Sequence, residues 1–221
     1  GYFLDLNGSI DDYAVYLFSG IVVINYFSET FGNATRAVVQ NAPLVKKIYL
    51  PRELFPVSSA FVAAVHFLPQ FLILLVGTLV AGWRPTAGQL AGGLLGFVVV
   101  VVFSVGLGLL FGAINVLYRD FENIVDLMLL VVTWASPVLY VWTMVRDAVP
   151  GWLFQLYQLN PVTAAVELFH YGFWYGATPR TAPLPPHLLW TGLLALAVSL
   201  AVLALGQFTF RRLEGRFAQE L

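Results

Sequence analysis

Asn41-Ala42-Pro43-Leu44-Val45-Lys46-Lys47-Ile48-Tyr49-Leu50-Pro51-Arg52-Glu53-Leu54 is a short polar island in a very apolar chain. It holds Lys46, Lys47 and Arg52, Arg36 lies just before it, and apolar segments of membrane length flank it on both sides. Such a cluster sets the orientation of a membrane protein, because Lys and Arg are retained on the cytoplasmic side. A basic, partly apolar loop on that side is also a natural docking surface for a soluble partner.

Composition supports a bilayer setting. Of 221 residues, 59% are apolar and only 10% charged, and mean hydropathy is +0.81. A soluble domain carries roughly 25% charge. The shortfall, with several apolar runs of about 20 residues, points to an all-α membrane protein, since lipid offers backbone groups no partners. The net charge of -1 says less than where the charges sit. There are no cysteines, which excludes disulfides, zinc–thiolate sites and thiol catalysis. Residues 1–12 are polar and acidic, with a turn signal at Asn7-Gly8 and no basic region followed by an apolar core. They are expected to form an external loop, in a chain whose natural start lies upstream of Gly1.

Working outward, five membrane-spanning helices are expected at 13–36, 56–82, 88–117, 121–145 and 187–210. The first is interrupted by Asn25 and Glu29, the second by His66 and Pro69. The fourth carries Glu122 and Asp126 near its start and Pro137 inside. Residues 150–176 differ. They break at Asn160-Pro161, where Asn caps a helix and Pro suits the first helical position. The two pieces are too short to cross and rich in interface-seeking aromatics, beginning with Trp152. They are expected to dip in and return as an extracellular re-entrant pair.

Charge supports that count. With five crossings and one re-entrant pair, Arg36, Lys46, Lys47, Arg52, Arg119, Arg211, Arg212 and Arg216 share one face, and only Arg84, Arg146 and Arg180 lie opposite. The 41–54 loop and the 211–221 tail are then cytoplasmic. In the third segment Gly88, Gly92 and Gly96, then Ser104, Gly108 and Gly112, recur every four residues. Small residues at this period let helices approach closely. Packing within one protomer is favoured over a dimer seam.

Catalytic constellations are scarce. Glu167 and His170 form one Glu-x-x-His pair, whereas a di-iron bundle site needs two with further carboxylates; they are expected to be a polar spot on an outward-facing short helix. Ser59 and His66 lack an orienting third group. His66 is expected to hydrogen-bond to a neighbouring helix or face a cavity. Asp120, Glu122 and Asp126 are expected to cap a helix start and complement its dipole, with Asp126 a secondary candidate for gating. No metal site is expected. No phosphate-cradling loop is present, so any ATP is bound by another chain, and nothing supports nucleic-acid binding.

Several of these stretches together resemble a known family. Leu44-Val45-Lys46-Lys47-Ile48-Tyr49-Leu50-Pro51-Arg52-Glu53, Asn115-Val116-Leu117-Tyr118-Arg119-Asp120, Ser136-Pro137-Val138-Leu139-Tyr140, Asn160-Pro161 and Phe210-Arg211-Arg212-Leu213-Glu214-Gly215-Arg216-Phe217-Ala218 occur in the order found in permease subunits of ABC-type polysaccharide and polyol-phosphate exporters, the kind that export O-antigen or teichoic acid. The resemblance covers nearly the whole chain. It implies one further N-terminal membrane helix and an amphipathic helix, both absent here.

The resemblance implies a non-enzymatic, multi-pass subunit of the bacterial plasma membrane. Two copies would form a pore above two ABC ATPase subunits, which would bind ATP and magnesium. Asn41, Leu44, Lys46, Lys47, Tyr49, Arg52 and Glu53 would form the coupling surface toward the ATPase. Membrane lipid would surround the pair, and the cargo would be a lipid-linked glycan or polyol-phosphate polymer. Tyr26, Trp134, Tyr140 and Trp142 would line its path, because sugar CH faces pack on aromatic rings. Trp152, Asn160, Pro161, Glu167 and His170 would belong to the re-entrant helices. The rival readings are an exporter of small drugs or lipids on the same architecture and a membrane-embedded enzyme acting on lipid-linked sugars.

Overall fold

The structure is a computed structural model that describes residues 12–47, 50–177 and 184–221. The expected external loop therefore lies outside the described residues except for Asp12, as do Ile48, Tyr49 and Arg180. All regular structure among the described residues is helical. Four helices are long and apolar enough to cross a membrane. They are α1 (Tyr13–Gln40), α3 (Leu54–Val80), α4 (Ala87–Leu117) and α9 (Leu188–Leu213, continued by a 3-10 turn). At 1.5 Å per residue each spans about 40 Å, enough for the roughly 30 Å hydrocarbon layer. Between them lie the short helices α2 (Ala42–Lys47), α5 (Phe121–Ala135), α6 (Trp142–Ala148), α7 (Gly151–Leu159) and α8 (Pro161–Phe169); α10 (Phe217–Glu220) ends the chain.

The stretch 121–145 is not one long helix. α5 has 15 residues and stops at Ala135, and α6 starts only at Trp142. Proline removes a helical N–H and its ring clashes one turn back, and the residue before it is driven toward extended geometry. Ser136 accordingly sits at φ -93, ψ 145. The carbonyls freed by the break are met from α1. The Tyr16 hydroxyl donates to the Tyr140 carbonyl at 2.8 Å and lies 3.1 Å from that of Pro137. A kink thus opens into a full interruption because a distant tyrosine satisfies it.

Residues 150–176 do contain a helix pair, split where Asn160 accepts from the Val162 N–H at 3.1 Å and Pro161 takes the first position. Its halves are unlike. α7 buries none of its residues and exposes Trp152, while α8 buries all nine. A π-helical turn, His170–Trp174, extends α8. Its Gly172 carbonyl accepts from the Trp83 indole at 3.0 Å, tying it to the loop between α3 and α4.

α4 organises the bundle. A Cβ on Gly92 would strike the Tyr171 ring, and one on Gly96 would come within 3.0 Å of the Ala165 carbonyl on α8. Gly112 abuts the Ala34 carbonyl on α1 at a similar 3.0 Å. The expected ladder is therefore an intramolecular seam. The closest approach uses glycines outside that ladder. A Cβ on Gly106 would lie 2.7 Å from the Leu203 nitrogen of α9, and one on Gly206 would run into the Gly106 carbonyl. At one end, Val38, Val45, Leu109, Ala113, Val116, Phe210 and Phe217 form a buried cluster. It brings the ends of α1, α4 and α9 together with α2 and α10, and with them Lys46, Lys47, Arg52, Arg211, Arg212 and Arg216. This is the basic end.

Candidate translocation face and coupling surface

Along α1, Asn25, Ser28, Glu29, Asn33 and Arg36 follow one another at intervals that keep them on one helical face. Asn25 and Asn33 are exposed, and Ser28, Glu29 and Arg36 are half-buried. The stripe covers about 16 Å of helix, from the middle of α1 toward the basic end. Neighbouring helices extend it on both flanks. On α3, Gln70 accepts from the Asn25 amide at 2.8 Å, and His66 Nδ1 meets the Glu29 carboxylate at 2.5 Å. On α5, Asp126 lies 2.5 Å and Glu122 3.4 Å from the Arg36 guanidinium. Such groups are costly against lipid tails, so the face they share must meet water or protein.

These contacts revise several expectations. Asp120 makes no side-chain capping bond, whereas Glu122 stands in the first turn of α5, where a carboxylate complements the helix dipole; Glu122 and Asp126 also bind Arg36. His66 does reach a neighbouring helix, through Glu29. Tyr26 is 3% exposed and packs against Phe67 and Phe97, on the side of α1 turned away from the stripe. Trp142 is buried against Phe154 beneath the Arg146 guanidinium. Trp134 is exposed, and half-buried Tyr140 donates to its carbonyl at 3.0 Å. Trp134 falls with exposed Leu127, Leu130 and Val131 on one apolar stripe of α5 and lies about 80° or more around the helix from Asp126 and Glu122. The predicted aromatics thus divide into two that reach the surface and two that do not.

Glu167 and His170 are not on an outward-facing helix. They are 6% and 1% exposed, with His170 Nδ1 3.8 Å from a Glu167 carboxylate oxygen. The His170 ring stacks on Tyr16 with centroids 3.9 Å apart. They form a joint between α8, α1 and the break after α5. Among the described residues no His, Asp or Glu cluster of three exists to hold a metal.

At the basic end, α2 is amphipathic. Val45 anchors it in the buried cluster, while Pro43, Leu44, Lys46 and Lys47 are exposed. Asn41 does not join this surface; it closes α1, its side-chain amide donating to the Ala37 carbonyl at 2.8 Å. Arg52 and Glu53 turn inward to the chain's own C-terminal part. Arg52 donates to the Glu214 carbonyl, Gln207 donates to Glu53, and Arg211 lies 3.5 Å from Glu53. The outward-facing members of the expected coupling set are Leu44, Lys46 and Lys47, and Tyr49 lies outside the described residues.

The chain also has relatives among known proteins by sequence. Residues 2–174 match the ABC-2 type transporter family. The chain belongs to that family. It is 26% identical over 212 residues to the O-antigen export system permease protein RfbA of Klebsiella pneumoniae, a match covering 96% of this chain and 77% of that one. A protein of the same name from Myxococcus xanthus is 27% identical over 217 residues, covering 96% and 78%. ABC-2 permeases carry no ATPase of their own and work with a partner ATPase subunit. This ABC-2 permease is accordingly a multi-pass membrane protein and the membrane component of an exporter.

Proposed function

We propose that this permease carries a lipid-linked glycan or polyol-phosphate polymer out of the bacterial cytoplasm, with the polar stripe of α1 facing the path. The named relatives motivate the cargo class. The observation that carries the path is the run Asn25, Ser28, Glu29, Asn33 and Arg36 on the face of a membrane-length helix. Two copies set these faces toward each other, and α5, the break and α6 together serve as the remaining crossing. The basic end is cytoplasmic. There Leu44, Lys46 and Lys47 of α2 dock on each of two ATPase subunits, which bind ATP and magnesium.

The absence of cysteine makes a direct test practical. Asn33→Cys should react with a membrane-impermeant maleimide in the assembled exporter, and labelling should stop export. Val76→Cys, on an exposed apolar face of α3, should stay unlabelled. An Asn33→Cys thiol as inert as that at position 76 would overturn the path. Charge reversal of Lys46 and Lys47 together should abolish export while each ATPase still hydrolyses ATP. Normal coupled export by that variant would remove α2's lysines from docking.

A further inference from the structure

The charge along the stripe narrows the cargo further. It contains three carboxylates, Glu29, Glu122 and Asp126, against one guanidinium, Arg36, and one imidazole, His66. Neither of these two groups is left over. Arg36 is held between Asp126 and Glu122, and His66 is held by Glu29. The remaining polar groups on the face, Asn25, Ser28, Asn33, Asn123, Thr133 and Gln70, are neutral amides and hydroxyls. Among the described residues, every other lysine and arginine lies outside it. Lys46, Lys47, Arg52, Arg211, Arg212 and Arg216 lie at the basic end, Arg119 in the turn between α4 and α5, and Arg84 and Arg146 beyond the other ends of the long helices.

A polymer bearing one phosphate per repeat would present a row of negative charges to this face. Clefts of one sign concentrate opposite charge and repel like charge, more strongly where low-dielectric walls surround them. A path for such a polymer needs free guanidinium or ammonium groups along its length, as phosphate recognition generally does. This path offers hydrogen-bonding amides and hydroxyls and an excess of carboxylate. That is the chemistry of an uncharged sugar chain, whose hydroxyls bond to amides and carboxylates.

We infer that the permease is selective for uncharged glycans and excludes polyol-phosphate polymers, and that Glu29, Glu122 and Asp126 provide the exclusion. The inference rests on the stripe being the cargo path. It concerns the polymer, since the diphosphate of a lipid carrier would be common to both cargo types.

The test uses the full exporter, permease with its ATPase, in lipid nanodiscs. Two probes share one polyprenyl-diphosphate carrier: a neutral hexose oligomer and a poly(glycerol phosphate) oligomer of matched length. The neutral probe should stimulate ATP hydrolysis, and the polyanion should need at least about tenfold higher concentration at low ionic strength. Raising salt should shrink that gap, because the Debye length falls to about 3 Å at 1 M. Glu122→Gln combined with Asp126→Asn releases Arg36 and should raise the response to the polyanion. Glu29→Gln, which leaves the Arg36 contacts in place, should do so more weakly. Equal responses to both probes in the unaltered exporter would overturn the selectivity and leave the path standing. Response to neither probe, with ATP hydrolysis intact, would overturn the path itself. A gap unchanged by salt would show that exclusion is not electrostatic and would equally overturn the inference.

Discussion

The seam between α4 and α9 and the face between α1 and α5 are built on opposite principles. At the seam, Gly106 and Gly206 bring two backbones into direct contact, and the interface is finished within one chain. At the face, α5 fully buries only Val125, packs Met128, Leu129 and Val132 partly against the core, and adds ion pairs from Glu122 and Asp126 to Arg36 of α1. Small residues give helices in lipid the close packing that apolar side chains cannot supply there through hydrophobic burial. Polar side chains give less packing and more surface that must meet water or protein. The contrast separates what this chain needs in order to fold from the face proposed above for cargo.

The sharpest way to break the contrast is to overfill the seam. Gly206→Leu forces a side chain into the Gly106 carbonyl, and the cost should exceed the roughly 1–3 kcal/mol usual for overpacking. Monodisperse yield in detergent should collapse; a well-behaved variant would show the contact to be looser than described. A middle case is Tyr16→Phe, which takes the hydroxyl from the carbonyls of Tyr140 and Pro137. A buried acceptor left without its donor costs about 1–3 kcal/mol, so the thermal midpoint should fall measurably while the fold survives. The smallest stability effect belongs to the face. Arg36→Met removes ion pairs whose carboxylates are about half exposed, and such pairs are worth about 1 kcal/mol or less. Its melting temperature should barely move although export drops. If Arg36→Met destabilised the chain as much as Gly206→Leu, the division between seam and face would fail.

Legibility in the sequence follows the same division. Features set by near neighbours could be read directly: the Asn160 cap, Pro161 at the first helical position and the glycine period of α4. The break after α5 was readable only as a kink. Pro137 removes one helical bond by itself, and how far the backbone opens depends on Tyr16, more than a hundred positions away. Tyr26 stands beside Asn25 in the chain yet does not share its face. Consecutive helical residues point about 100° apart, so the two side chains go to different surfaces. That angular step, applied to Asn25, Glu29, Asn33 and Arg36, was the signal available for the stripe. Their partners His66, Gln70, Glu122 and Asp126 come from other helices, where spacing along the chain is silent. The burial of Glu167 and His170 was hidden in the same way, because α8 is amphipathic by composition yet enclosed on every side.

Phe217 has a mechanical consequence. Its ring is fully buried among Val45, Leu109, Val116 and Phe210, and Arg52 and Glu53 fasten the adjoining loop to the same C-terminal turn. The small basic helix is thereby anchored from below by Val45 in the same cluster. If α2 is the docking helix proposed above, a push on Lys46 and Lys47 would enter the cluster where the ends of α1, α4 and α9 meet, and would load several long helices together rather than one.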